Sequence, residues 1–173
     1  YLNSNIVSTF NILEIARIKK SKHTLVASSS SVYGMASNPF KENLSANHPI
    51  QFYAATKKSA EIICHSYSEL YNLPISCLRY FTVYGPFGRP DMFIPKIIKS
   101  IKDNSYINLY NRGNHIRDFT YVEDVSNIVF KVYQEILKNK KINEIYNVCG
   151  GSKISLKDLI NLIQKFTEKK VKI

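Results

Sequence analysis

The sequence of 173 residues has no tryptophan, three cysteines and six glycines. Cys64, Cys77 and Cys149 form no CxxC pair and are odd in number, which argues against a disulfide framework and against a zinc site. No apolar run approaches the roughly 20 residues of a membrane helix, and no basic-then-apolar leader opens the chain. We therefore expect a globular protein of a reducing cytoplasm, without a membrane or a metal partner.

Acidic residues are scarce, with 13 Asp and Glu against 24 Lys and Arg and a net charge of +11. Such a balance is compatible with nucleic-acid binding. The lysines, however, are scattered over predicted helix faces, and helix-turn-helix, zinc-finger and RNP-type motifs are missing. We therefore expect solvated helix faces and no nucleic-acid partner. A basic surface also suits a substrate that carries phosphates and a carboxylate.

The six glycines do not form the glycine-rich loop that binds a dinucleotide pyrophosphate. The chain also begins at Tyr1 rather than at a methionine, directly before a predicted helix. These two features predict an N-terminally truncated fragment. A pyrophosphate-binding loop, if the protein has one, is expected outside this sequence.

Helix-like and strand-like segments alternate along the chain. Apolar residues at helical spacing predict helices over 3–19 and 52–71, and the short runs HTLVASSS and PISCLRYF predict strands. The segments predicted downstream are a loop over 83–91, a helix over 92–102, a strand over 106–110, a helix from Thr120 to about 137, a strand at EIYNVCG and a helix behind Ser155. This alternation predicts an α/β fold with a parallel sheet covered on both faces.

Two capping boxes are predicted at helix starts, Thr120 with Glu123 and Ser155 with Asp158. In the last helix, helical spacing predicts a core-facing stripe of Leu159, Leu162, Ile163 and Phe166. Ligands of parallel sheets bind beyond the carboxyl ends of the strands. We therefore look for a site after Ser28, after Phe81 and after Val148.

The motif with the clearest chemistry is YxxxK, formed by Tyr53 and Lys57 on a predicted helix. Residues four apart share one helix face, and a nearby ammonium favours the ionised form of a phenol, which can then act as a base. The segment ASSSSVYG places serines at the end of the preceding strand. Buried hydroxyls need partners, so this cluster favours a polar pocket.

The segments SSSSVYG, YAATK, LRYFTVYGPFGRPDM and IRDFTYVEDV resemble, in order and spacing, the extended short-chain dehydrogenase/reductase family of NAD-dependent epimerases and dehydratases. Within it, they look most like UDP-glucuronate 4-epimerases. The resemblance covers essentially the whole chain. It implies a partial Rossmann-like, doubly wound sheet over 1–82 that lacks its first βαβ units. It also implies a mainly substrate-binding region over 83–173, with 118–149 returning to the Rossmann domain.

The resemblance also implies roles for individual residues around bound NAD. Ser29 matches the serine or threonine that hydrogen-bonds the reacting hydroxyl, Tyr53 matches the base, and Lys57 matches its electrostatic partner and a ribose ligand. Tyr80 matches a residue near the nicotinamide. The implied reaction is a transient oxidation of the sugar at C4, followed by return of the hydride to the opposite face.

Substrate contacts are implied for Ser30, Thr82, Arg89 and Arg117. Thr82 and Arg89 match a clamp for the sugar carboxylate, and Arg117 matches a diphosphate ligand. Related dehydratases and decarboxylases have acidic residues where this chain has Ser30 and Ser31. The absence of those carboxylates favours epimerisation. Asp118 is expected to orient an arginine.

Simpler interpretations stay open for several of these residues. Arg89 can pair with Asp91 as an ordinary loop arginine, and Arg117 can pair with its neighbour. Asn5 matches a family asparagine on a helix that faces the active site, but it can equally support the backbone. Tyr33 and Tyr84 are expected to pack in tight turns.

Other functions are also open. One is a UDP-glucose or UDP-N-acetylglucosamine 4-epimerase, and another is a catalytically silent NAD-binding or sugar-nucleotide-binding module, or an inactive fragment. The resemblance further implies that the full-length protein forms a homodimer through two helices.

Overall fold

A computed structural model describes residues 1–36, 39–139 and 143–173. The α-helices of this part are α1 (Ser8–Ile18), α2 (Phe52–Tyr71), α3 (Phe93–Asp103), α4 (Val122–Asn139) and α5 (Leu156–Thr167). Its strands are β1 (Thr24–Ser29), β2 (Ile75–Tyr80), β3 (Thr82–Tyr84), β4 (Ile116–Tyr121), β5 (Asn143–Val148) and β6 (Lys153–Ser155). A π-helical segment, Leu2–Val7, leads into α1, and 3-10 turns span Ser30–Tyr33 and Tyr110–Gly113. No helix among the described residues is long and apolar enough to span a membrane.

The chain divides into two compact units. The first unit contains Tyr1–Phe81 and Asn127–Val148, and the second contains Thr82–Ser126 and Cys149–Ile173. The chain thus leaves the first unit after Phe81 and returns to it at Asn127.

The first unit is built on a parallel sheet with the strand order β1-β2-β5, which confirms the predicted α/β class. The central strand β2 is the most enclosed, and five of its six residues are buried. A strand covered on both faces by other elements reads as a nearly continuous apolar run, and this is why PISCLRYF was recognisable. The core against α1 and α2 contains Leu13, Ala16, Cys64, Leu73, Ile75 and Cys77.

All three cysteines are free thiols. Cys64 on α2 and Cys77 on β2 are buried in the same core. A hydrogen bond with Cys64, together with burial, strongly raises the pKa of the Cys77 thiol. Both side chains therefore act as small apolar residues in the folded protein.

In the second unit, β4 pairs in parallel with β3 and antiparallel with β6. Helices α3 and α5 enclose a core of Ile97, Ile160 and Val171. The strand predicted over 106–110 is wrong: Tyr106 forms a single bridge with Lys172, and the chain then enters a 3-10 turn. That turn begins at Tyr110, and the positive φ of Asn111 and Arg112 directly after it prevents the chain from continuing as a strand.

Two helix-start predictions have opposite outcomes. The Ser155 cap is confirmed, since the Ser155 hydroxyl accepts a hydrogen bond from the Asp158 amide at 3.0 Å, but the Asp158 carboxylate accepts from the Ser155 hydroxyl at 2.6 Å and not from a backbone amide. The Thr120 box is wrong because Thr120 lies inside β4, where its buried hydroxyl donates to Asp118 Oδ1 at 2.8 Å. The strands β4 and β6 were not predicted, and β3 occupies the start of the segment predicted as a loop.

The predicted stripe on α5 is only partly correct. Leu159 is buried, but Leu162 and Phe166 are 44% and 79% exposed. The buried face of α5 is instead centred on Ile160, which packs with Ile97 and Val171. A helix turns about 100° per residue, so positions two and six residues beyond Ile160 point away from this core.

Candidate active site

The carboxyl end of β1 carries the serine cluster. Ser29 is the last residue of the strand and lies opposite Tyr80 in the register of the sheet. Its hydroxyl accepts hydrogen bonds from the Ser31 amide at 3.2 Å and from the Ser31 hydroxyl at 2.9 Å. Ser29 thereby caps the 3-10 turn Ser30–Tyr33, and the orientation of its half-buried side chain is fixed.

The turn after Ser29 depends on a glycine. Gly34 has φ +58, and a Cβ atom there would lie 2.3 Å from the carbonyl oxygen of His48. Only glycine fits both the left-handed backbone and this close approach. The preceding Tyr33 is buried, stacks on Phe40 and donates from its hydroxyl to Asn147 at 2.8 Å, so it is a packing residue, as predicted.

Helix α2 presents Tyr53 and Lys57 one turn apart. The Lys57 ammonium lies 6.0 Å from the centroid of the Tyr53 ring and donates to the Ala27 carbonyl of β1 at 2.9 Å. Burial lowers the pKa of Lys57. The structure thus ties the YxxxK lysine to β1 two residues before Ser29. An ammonium has three donors, so the bond to Ala27 leaves two for a ligand.

Asn5 supports the same helix from the segment before α1. Its side-chain amide donates to the Thr56 hydroxyl at 2.9 Å, and that hydroxyl donates to the Tyr53 carbonyl at 2.8 Å. The Tyr1 ring also lies against the Tyr53 ring, with centroids 5.2 Å apart. In the structure Asn5 therefore supports the backbone of α2 at Tyr53, as in the second of its two interpretations.

An ion pair that was not predicted lies behind these residues. Arg79 on β2 donates to Glu61 on α2 through Nε at 2.8 Å and Nη2 at 2.9 Å, and the Ser28 hydroxyl donates to Glu61 at 2.6 Å. All three side chains are buried. Burial raises the pKa of Glu61, but the bonds from Arg79 and Ser28 outweigh it, and the net pKa is lowered. An arginine inside the apolar run PISCLRYF was the available signal, because such a charge needs a buried partner.

The remaining residues assigned to the first unit are Ser30 and Tyr80. Both are half-buried, Ser30 in the 3-10 turn and Tyr80 at the end of β2. Burial raises the pKa of the Tyr80 phenol. The sheet register brings Tyr80 beside Ser29 at one strand end.

Thr82 and Arg89 belong to the second unit. Thr82 begins β3 and helps to line a mainly apolar depression of about 280 Å³, including space open to solvent, with Phe93 and Phe119. The exposed Arg89 forms a bidentate pair with Asp91, through Nε at 3.0 Å and Nη2 at 2.7 Å. The hydrogen bond from Arg89 lowers the pKa of Asp91. The pairing that was left open at the sequence level is therefore present in the structure.

Arg117 is exposed on β4, and its guanidinium donates to the carbonyl of Ile116 at 2.9 Å. The expectation that Asp118 orients an arginine is wrong. Asp118 instead accepts from the Thr120 hydroxyl at 2.8 Å and from the Gly150 amide at 3.1 Å. Successive residues of a strand point to opposite faces, so the side chains of Arg117 and Asp118 point away from each other.

Residues 1–149 match the NAD dependent epimerase/dehydratase family. The chain belongs to this family. The matched range covers most of the sequence and includes all the candidate site residues, from Ser29 to Arg117.

The chain is similar to several sugar-nucleotide epimerases. It is 41% identical to the UDP-glucuronate 4-epimerase of Thermodesulfobacterium geofontis, covering 99% of this chain and 52% of the relative. Among solved structures, it resembles UDP-glucuronic acid 4-epimerase of Bacillus cereus in complex with UDP-glucuronic acid and NAD (35% identity, TM-score 0.91, 99% of this chain and 54% of that one). It also resembles UDP-N-acetylglucosamine 4-epimerase of Methanobrevibacter ruminantium (30% identity, TM-score 0.87, 100% and 56%). The chain thus spans about half the length of the relatives it matches.

Proposed function

We propose that the protein containing this chain is an NAD-dependent nucleotide-sugar epimerase that inverts C4 of UDP-glucuronate to give UDP-galacturonate. The observation that carries the proposal is the Tyr53–Lys57 pair on α2, anchored through Ala27 to the strand that ends in Ser29. Family membership and the similarity to UDP-glucuronate 4-epimerases support the same chemistry.

Three side chains handle the proton of the sugar hydroxyl. Tyr53 removes the proton from the 4-hydroxyl and later returns it, and the Lys57 ammonium lies 6.0 Å from the centroid of its ring. The Ser29 hydroxyl, held by Ser31, hydrogen-bonds the same sugar oxygen. Lys57 and Tyr80 would hold the nicotinamide end of NAD, which would supply reversible hydride transfer at C4 of the sugar.

The residues present fit one end of the cofactor. Lys57 has two ammonium donors left for ribose hydroxyls after its bond to Ala27, and Tyr80 lies beside Ser29 in the sheet. The glycines of the chain form no pyrophosphate loop. NAD binding is therefore a proposal for the intact protein rather than for this segment by itself.

Recognition of the sugar carboxylate is assigned to Thr82 and Arg89 of the second unit, and Ser30 of the first unit is assigned a substrate contact of its own. Arg89 already holds the carboxylate of Asp91 with both arms of its guanidinium. An exposed pair of this kind contributes little stability, so a substrate carboxylate can replace Asp91. The clamp has a chemical purpose, because a C4 ketone makes the sugar acid prone to lose CO2 and localised carboxylate charge opposes that loss. Arg117 is assigned to the diphosphate.

The test is to incubate the intact protein and NAD with UDP-glucuronate, UDP-glucose or UDP-N-acetylglucosamine, and to follow C4 epimers by NMR. We expect turnover of the charged sugar. Turnover of a neutral sugar alone would replace the substrate assignment with the alternative epimerase. NAD binding without turnover of any sugar would favour a silent module.

The clamp is tested with Arg89→Ala, which should raise KM for UDP-glucuronate roughly tenfold or increase CO2 release. Arg17→Ala is the matched control, because Arg17 forms a similar bidentate pair with Glu14 on the first unit. The control should leave KM unchanged. An Arg89 variant with normal KM and no CO2 release would contradict the clamp.

The oligomeric state and the compartment complete the proposal. Apolar side chains of α1 and α2, among them Ile12, Ile15 and Ile62, are more than half exposed. A homodimer of the intact protein would cover them, and sedimentation analysis tests it. Free thiols suit the reducing cytoplasm, which cell fractionation tests.

A further inference from the structure

The buried cluster of Ser28, Glu61 and Arg79 joins three elements, and each of them also carries a candidate site residue. Ser28 directly precedes Ser29 on β1, and Arg79 directly precedes Tyr80 on β2. Glu61 lies one helical turn after Lys57 on α2. Ser28 and Arg79 are also direct partners in the sheet register.

Most of the bonds that compensate Glu61 come from within the cluster, and Lys58 adds one from outside it. Glu61 Oε1 accepts from Ser28 and from Arg79 Nε, and Oε2 accepts from Arg79 Nη2 and, at 3.2 Å, from Lys58. The Arg79 guanidinium also lies 4.7 Å from the Tyr33 ring centroid, below the turn that follows Ser29 in the sequence. Each bond has a defined direction, unlike the contacts of an apolar core.

The hydrogen bonds between α2 and β1 follow the same order along the helix and along the strand. The Ala27 carbonyl accepts from Lys57, and the next residue, Ser28, donates to Glu61 one turn further along the helix. Two successive strand residues thus fix two successive helix turns. Together with the bidentate bond from Arg79, they set both the rotation of α2 about its axis and its position along β1.

Stability alone does not account for such a cluster, since apolar side chains can often replace a buried ion pair without loss of stability. Geometry does, because a misplacement of about 1 Å between reacting groups can cost roughly a hundredfold in rate. We propose that Ser28, Glu61 and Arg79 are positioning residues that hold Tyr53 and Lys57 in register with Ser29. This inference rests on the proposed function and deepens it: the cluster acts on turnover and not on substrate affinity.

The sharpest test is Ser28→Ala in the intact protein with NAD and the sugar nucleotide that the wild type epimerises. We expect kcat to fall on the order of tenfold while KM stays within about twofold. Ser76→Ala is the matched control, since Ser76 is also a buried serine of this sheet, bonded to His23 at 3.0 Å. The control should leave kcat and KM unchanged.

A second variant replaces the ion pair by apolar residues, Glu61→Leu with Arg79→Met. It should fold with a melting temperature close to that of the wild type and still lose turnover at unchanged KM. If Ser28→Ala or the folded double variant keeps the wild-type kcat, the positioning role is refuted. If both variants lose turnover only in proportion to their unfolded fraction, the role is also refuted. A wild type without turnover refutes the proposed function and this inference together, whereas an active wild type with unaffected variants refutes the inference alone.

Discussion

Each of the two units contains an arginine that forms a bidentate pair with a carboxylate, and the two pairs differ in their exposure to water. Arg79 binds Glu61 at 2.8 and 2.9 Å with a side chain that is 1% exposed. Arg89 binds Asp91 at 3.0 and 2.7 Å with a side chain that is 74% exposed. The bonding geometry is nearly the same. Solvent therefore decides what each pair can do.

Because the Arg89–Asp91 pair is exposed to water, another carboxylate can replace Asp91. In the first unit neither charge can leave its partner without remaining buried and uncompensated, so the pair fixes the elements that carry it. In the second unit the solvent solvates either partner, and a ligand carboxylate can take the place of Asp91. Under the proposed function, the buried pair would hold the catalytic side chains of the first unit in place, and the exposed pair would leave Arg89 able to bind a ligand carboxylate.

The largest expected effect concerns the chemistry assigned to the first unit. Tyr53→Phe should lower kcat by up to about 10⁴-fold, because the proton of the sugar hydroxyl then has no acceptor. Tyr71→Phe on the same helix is the control and should leave turnover unchanged. NMR detection of C4 epimers measures both. A fully active Tyr53→Phe protein would remove the catalytic role of the first unit.

The next effect tests the difference in burial directly. Arg79→Met should lower the free energy of unfolding by about 3 to 5 kcal/mol, since it removes the bidentate partner of the buried Glu61 carboxylate and leaves only the Lys58 ammonium, at 3.2 Å, beside it. Arg89→Met should leave the unfolding curve of the same protein unchanged. Chemical denaturation of both variants gives the comparison. Equal losses would show that the two pairs do not differ as described.

A smaller effect is expected from acid. The folded-state pKa of Glu61 lies below its ordinary value of 4.5, so the stability from this group is fully present above pH 4.5. It is lost as the pH falls through the lowered folded-state pKa. Denaturation at a series of acidic pH values should therefore show a steeper loss in the wild type than in the Glu61→Leu with Arg79→Met variant. Parallel curves would mean that Glu61 does not contribute.

The smallest effect sharpens the assignment of the second unit. Asp91→Asn should lower KM for UDP-glucuronate by roughly twofold to fivefold, because Arg89 then has no competing carboxylate. Turnover of a neutral UDP-sugar should not change. Steady-state kinetics with both substrates measures this, and an increase in KM for UDP-glucuronate would indicate that Asp91 orients Arg89 for binding.

The sequence was most informative where periodicity reports burial. Strand β2 and helix α2 were predicted almost to their observed limits because each carries a regular apolar pattern. The short strands β3, β4 and β6 have three to six residues, and their pairing partners are distant in sequence. Thr120 shows the consequence: a residue that suits a helix cap lies in a strand because the β4 pairing decides its conformation.

The candidate site was predictable to the extent that motifs define it. Spacing alone placed Tyr53 and Lys57 on one helix face, and the serine cluster indicated the end of β1. The Glu61–Arg79 pair escaped detection because its members are 18 residues apart and meet only when α2 folds onto β2. Arg117 and Asp118 show the reverse error, since adjacency in sequence implied a contact that strand alternation prevents.

The two thiols in the core of the first unit have a practical consequence. Cys64 and Cys77 are 0% and 3% exposed, and the raised pKa of Cys77 keeps that sulfur in its unreactive, protonated form. An alkylating reagent can modify them only in molecules whose core has opened. The protein thus contains its own tracer of unfolding, and added mass at these two sulfurs records how often the helix that bears Tyr53 separates from the sheet.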